Sequence, residues 1–76
     1  MRERIILDVK DGVPKNLREW ARREGLEMAY RVEIDVATMT AYVEEYMVDA
    51  DGKRYLDDTG ESAATRVRTT RVSSLP

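Results

Sequence analysis

The sequence predicts an α+β domain in which one short helix packs on one face of a mainly antiparallel sheet of four or so strands, in the order β-α-β-β-β. Three observations carry that expectation. A helical apolar stripe runs through Leu17, Trp20 and Ala21. A two-residue alternation follows it at 28–36. Turn signals then recur at Asp51-Gly52 and Asp57-Asp58-Thr59-Gly60. One apolar stripe has the period of a helix, the alternation has that of a strand, and the two need each other's apolar side.

Arg4 to Val9 reads as the first strand, with Ile5, Leu7 and Val9 on one face and Arg4, Ile6 and Asp8 on the other. Asp11-Gly12 marks a turn. The helix follows over 13–25. Pro14 suits the first helical position, where a missing N–H costs nothing. Arg22 and Arg23 fall in the last turn, where the helix dipole favours cations. Gly25 is placed for a left-handed cap, with Leu26 folding back on the last turns.

Met28, Tyr30, Val32, Ile34 and Val36 then alternate with Ala29, Arg31, Glu33 and Asp35. The run reads as a ribbon, dry toward Trp20 and wet on its reverse. Thr38 to Val48 fits two patterns. Thr40, Tyr42, Val43, Tyr46 and Val48 suit a strand, while Met39, Val43, Tyr46, Met47 and Ala50 fit a helical stripe. The strand is preferred because the segment runs into a hairpin signal at Asp49-Ala50-Asp51-Gly52, and a turn or bulge in 37–40 would join it to the strand before. A looser turn over Asp57 to Ser62 leads to a last strand over Thr65 to Val72, and 73–76 read as a frayed end.

With 76 residues, the chain is expected to form one domain, residues 1–76. It contains no cysteine and no histidine, which excludes disulfides, thiol nucleophiles, imidazole catalysis and Cys/His zinc sites. A domain this small often gains stability by associating with another chain. The start, Met1-Arg2-Glu3-Arg4, is charged, and the apolar run Ile5-Ile6-Leu7 ends at Asp8, too short for a signal-peptide core or a membrane span. A cytoplasmic protein with no membrane partner is therefore expected. Charge is uneven. Counting Lys/Arg against Asp/Glu, residues 1–25 carry seven against five, 26–62 three against ten, and 63–76 three against none, which sums to the net charge of −2. An acidic middle and a basic tail can complement each other within one chain or between two.

Five features of the sequence bear on function. Asp49, Asp51, Asp57, Asp58 and Glu61 could suggest a cation site, yet the calcium-loop ligand spacing is absent and Asp-Gly is ordinary turn chemistry, so no metal and no other cofactor is expected. Glu44 and Glu45 are adjacent, and adjacent strand residues point to opposite faces, so they cannot converge as an acid–base pair. The four glycines are scattered and cradle no phosphate. An enzyme is accordingly not expected. Arg66, Arg68 and Arg71 offer a basic strip for nucleic acid, set against the bland alternative of an edge strand guarded by charge. Lastly, one short helix cannot cover a four-stranded sheet, so some of the tyrosines and methionines in the strands should stay exposed. Tyr42, Tyr46, Met47 and Tyr55 are the candidate interface residues, because tyrosine and methionine are enriched where proteins meet.

The segments Val13-Pro-Lys-Asn-Leu-Arg-Glu-Trp-Ala-Arg-Arg-Glu-Gly-Leu26 and Tyr46-Met-Val-Asp-Ala-Asp-Gly-Lys-Arg-Tyr55, followed by Asp57-Asp-Thr-Gly-Glu61 and a Thr/Arg/Val tail, resemble in style the small accessory proteins of phages that infect actinobacteria. That resemblance assigns no site residues. It implies a chain that acts in the host cytoplasm by binding a host protein. The expectation is thus a non-enzymatic protein-binding module, a homodimer, with a nucleic-acid-associated regulator as the alternative.

Overall fold

The computed structural model describes residues 3–8 and 14–76. Strand β1 covers Arg4–Asp8, helix α1 Lys15–Arg23, β2 Ala29–Asp35, β3 Thr40–Tyr46 and β4 Thr65–Arg71. The strands form one sheet in the order β1-β2-β3-β4, and every neighbouring pair is antiparallel. This is the α+β architecture that the alternating patterns predict. Val9, the Asp11-Gly12 turn and Val13 lie outside the described residues.

Helix α1 starts one residue later than the proline rule suggests. Pro14 sits at the cap with an extended ψ of 151°, and its carbonyl accepts the N–H groups of Leu17 and Arg18. Proline has no side-chain oxygen to close the helix end, and no side chain caps it. The other end follows the expectation closely. Gly25 has φ of 73°, and the Leu26 and Gly25 N–H groups donate to the carbonyls of Ala21 and Arg22. That hydrogen-bond pair is a Schellman closure, and it turns Leu26 back under the helix.

Leu26 and Trp20 pack with Val32, Ile34, Ala41, Val43 and Val72 in one core, bordered by Ile5, Leu7, Ala21, Ala29 and Met39. The cross-strand register explains this set. Ile5 faces Ile34, which faces Ala41; Leu7 faces Val32, which faces Val43. These positions share one side of the pleat, and α1 covers it.

The dry face of 28–36 does not run unbroken. The register shifts between Ala29 and Arg31, which pair with the consecutive residues Glu45 and Glu44. Tyr30 is the extra residue of a β-bulge, so the alternation reverses there. Ala29 joins the core side, and Tyr30 moves to the reverse side, where its ring lies 5.0 Å from that of Tyr46. The expectation that Tyr30 shares a face with Val32 and Ile34 is corrected by this bulge.

Residues 36–39 form the turn between β2 and β3. Asp35 accepts the Ala37 N–H, and Met39 takes a positive φ of 56°. Residues 47–64 leave the sheet as an arm with two tight turns. In the first, the Asp49 carboxylate accepts the N–H groups of Asp51 and Lys53; in the second, Asp57 accepts the N–H and hydroxyl of Thr59. Single bridges, Val48 to Arg54 and Leu56 to Ala63, hold the two loops.

The tail differs from the frayed end expected of it. The Glu24 carboxylate accepts four hydrogen bonds, from the N–H and hydroxyl groups of Ser73 and Ser74. The Trp20 indole N–H donates to the Ser74 carbonyl at 2.9 Å. Serine hydroxyls and free backbone donors meeting one carboxylate are what tie this end to α1.

Candidate interaction surface

Helix α1 covers one side of the sheet, and the other side can be read row by row from the register. Arg4 lies beside Asp35, Thr40 and Arg71; Ile6 beside Glu33, Tyr42 and Thr69; Asp8 beside Arg31, Glu44 and Val67. Among these, Ile6 is 55% exposed, Tyr42 43% and Val67 71%. Val67 and Tyr42 are diagonal neighbours across the β3–β4 pair. Three apolar or aromatic side chains thus stand out from the face that carries no helix. Around them, Arg4, Arg31 and Arg71 are set against Asp8, Glu33, Asp35 and Glu44, a near balance of charge, and Arg4 pairs with Glu33 across the strands at 2.9 Å.

The four sequence-predicted interface residues fall into two pairs. Tyr42 and Tyr46 stand on the open face of β3. Tyr46 is half-buried there, because Tyr30 tilts against it and the Arg54 guanidinium sits 3.9 Å from its ring centroid. This cation–π contact folds the arm back toward the sheet. Met47 and Tyr55 line a shallow groove of about 420 Å³ at the base of the arm, with Leu56, Asp57, Ala64 and Arg66. Sequence reasoning missed Ile6 and Val67. Each has only polar residues beside it on its own face of the strand, Arg4 and Asp8 for Ile6 and Thr65 and Thr69 for Val67, and joins Tyr42 only through the strand order.

The three arginines do not make one strip. Arg66 and Arg68 donate from Nε to the same Oε1 of Glu45, at 2.6 Å and 2.7 Å, and Arg68 also donates to the Gly25 carbonyl. Arg71 points to the open face beside Thr40. Glu45 itself was read only as half of an acidic pair. It is in fact a buried carboxylate, 4% exposed, on the core side, while Glu44 lies on the open side, as strand alternation requires. A second groove of about 310 Å³ passes Glu45, Arg66, Arg68, Met28 and Met47.

Burial alone would raise the Glu45 pKa, but the hydrogen bonds from Arg68 and Arg66 outweigh it, and the carboxyl titrates below the ordinary 4.5. Glu24 is also lowered, chiefly by the Ser73 hydroxyl, and Asp57 by the Thr59 hydroxyl. A carboxyl whose pKa is lower folded than unfolded stabilises the fold above its unfolded pKa and loses that contribution as pH falls through the folded value. Urea stability is therefore expected to hold near neutral pH and to decline below about pH 4.5. Glu24→Gln should flatten part of that decline; a profile identical to that of the unsubstituted chain would show that the clasp does not titrate with folding.

Among the described residues, no three carboxylates group as a metal site would need, and no helix is long and apolar enough to cross a membrane. Comparison with protein-family models, curated proteins and solved structures returns no match for this chain.

Proposed function

We propose that this chain is a non-enzymatic protein-binding module that works as a homodimer through the sheet face opposite α1. The observation that carries the reading is the exposure of Ile6, Tyr42 and Val67 on the sheet face opposite α1. The near-balanced charges beside them suit a second copy of the same face, because a two-fold contact must tolerate its own charge pattern. The carboxylates that might have suggested catalysis are occupied structurally: Glu45 holds two arginines, and Asp49 and Asp57 hold turn backbone. A role as a phage accessory protein acting on a host protein belongs to the same reading and rests on the resemblance of the helix and hairpin segments.

Light scattering across a concentration series tests it. The expected result is a mass near twice that of the chain, shifting to one chain in the double variant Ile6→Ser, Tyr42→Ser. Both side chains are exposed, so the variant should keep its fold, which circular dichroism checks. A single-chain mass for the unsubstituted protein at high micromolar concentration would overturn the reading.

A further inference from the structure

We propose that the outer edge of β4 is a docking site for an acidic, extended segment of a partner protein, which adds to the sheet as a fifth strand. The edge lies beside the face proposed for self-association and does not depend on it.

Strand polarity comes first. The Val72 N–H donates to the Met39 carbonyl, and the Met47 N–H donates to the Ala64 carbonyl, so the even-numbered residues of this stretch turn their backbone toward β3. Antiparallel alternation then turns the N–H and C=O groups of Thr65, Val67, Thr69 and Arg71 outward. Among the described residues, no strand lies on that side, since β4 ends the sheet. The edge is seven residues long and contains no proline, no glycine and no bulge against β3. Proline and bulges are two of the devices by which edge strands block pairing, and without them the row of donors and acceptors stays straight; the guard that remains is the positive charge of the arginines, which repels a like-charged strand and not an acidic one.

Charge selects the occupant. Strand β4 carries three arginines and no acidic residue. The Arg66 guanidinium donates to Glu45 from Nε, and its side chain is 55% exposed, so part of it is open to a second carboxylate. Arg71 is exposed on the other side of the strand. An incoming strand with carboxylates would meet a cation on either face. A second β4 would instead bring three arginines against three, with only one Glu45 per chain to offset them.

The probe is a synthetic peptide of about eight residues alternating valine and glutamate, titrated into the isotope-labelled full chain and followed by amide chemical shifts. Saturable shifts and slowed hydrogen exchange are expected at Thr65, Val67, Thr69 and Arg71. The same peptide with lysine in place of glutamate should not bind. Val67→Pro removes an outward donor without removing a β3 bond and should abolish binding. Arg66→Gln, which retains a donor for Glu45, should weaken it about two- to fivefold and serves if the proline variant proves unfolded. Shifts confined to other strands, or equal binding of the glutamate and lysine peptides, would overturn the proposal. Light scattering of the free protein reads self-association separately, so either result can fail alone.

Discussion

Trp20→Ala is expected to remove most of the stability of this domain. Trp20 is 2% exposed and is the largest side chain in the core. Truncating a buried tryptophan typically costs about 3–5 kcal/mol, since the transfer energy is lost and the cavity only partly collapses. The lost indole N–H bond to Ser74 adds about 1 kcal/mol. A chain of this size is stable by roughly 4–11 kcal/mol in total. Urea unfolding followed by far-ultraviolet circular dichroism should show the midpoint collapse, with a substantial unfolded fraction before any denaturant is added. Trp20→Phe separates the two contributions. It keeps an aromatic body in the core but loses the tail bond, and should cost about 2 kcal/mol. A loss below about 1 kcal/mol in the alanine variant would mean that the helix does not rest on the sheet through this residue.

Glu45→Ala should have the next largest effect, near 2 kcal/mol. Glu45 is the single acceptor for two arginine Nε groups and takes almost no solvent. Breaking a fully buried ion pair costs more, about 3–5 kcal/mol. Here the discount comes from the partners: the Arg66 side chain is 55% exposed and that of Arg68 is 31% exposed, so both can turn to water once the carboxylate is gone. For a domain of this length the loss corresponds to a fall in melting temperature of about 8–16 °C. In a double-mutant cycle, Arg68→Gln should cost far less in the Glu45→Ala background than alone. Additive losses would mean that the two side chains stabilise the fold independently.

These two residues differ in how readable they are from sequence. Trp20 belongs to a helical stripe, and its partners Val32 and Ile34 belong to an alternating run, so each element announces its apolar side within a few residues. The helix C-terminus is equally local: Gly25 and Leu26 specify the closure by themselves. Glu45 is another matter. Its role exists only because β3 and β4 pair in the register that sets Glu45 opposite Arg66, and nothing within either strand fixes that register. The bulge at Tyr30 is hidden for the same reason, since an extra residue is extra only relative to a partner strand. The docked tail depends on Glu24, far away in the chain, and composition alone makes a terminal Ser-Ser-Leu-Pro read as loose. Tyr42 could be named from its own strand, whereas Ile6 and Val67 become its neighbours only when the strand order is known.

The proposed self-association uses the sheet face opposite α1, and contacts between copies would be read there directly. Equal parts of isotope-labelled and unlabelled chain, mixed while fully unfolded and then refolded together, give a sample in which an isotope-filtered nuclear Overhauser experiment detects only contacts between protons of different chains. Cross-peaks linking Tyr42 ring protons with Ile6 or Val67 methyl groups of another copy are expected. A saturated sample with no intermolecular cross-peaks, or with all of them on α1, would contradict the assignment of that face.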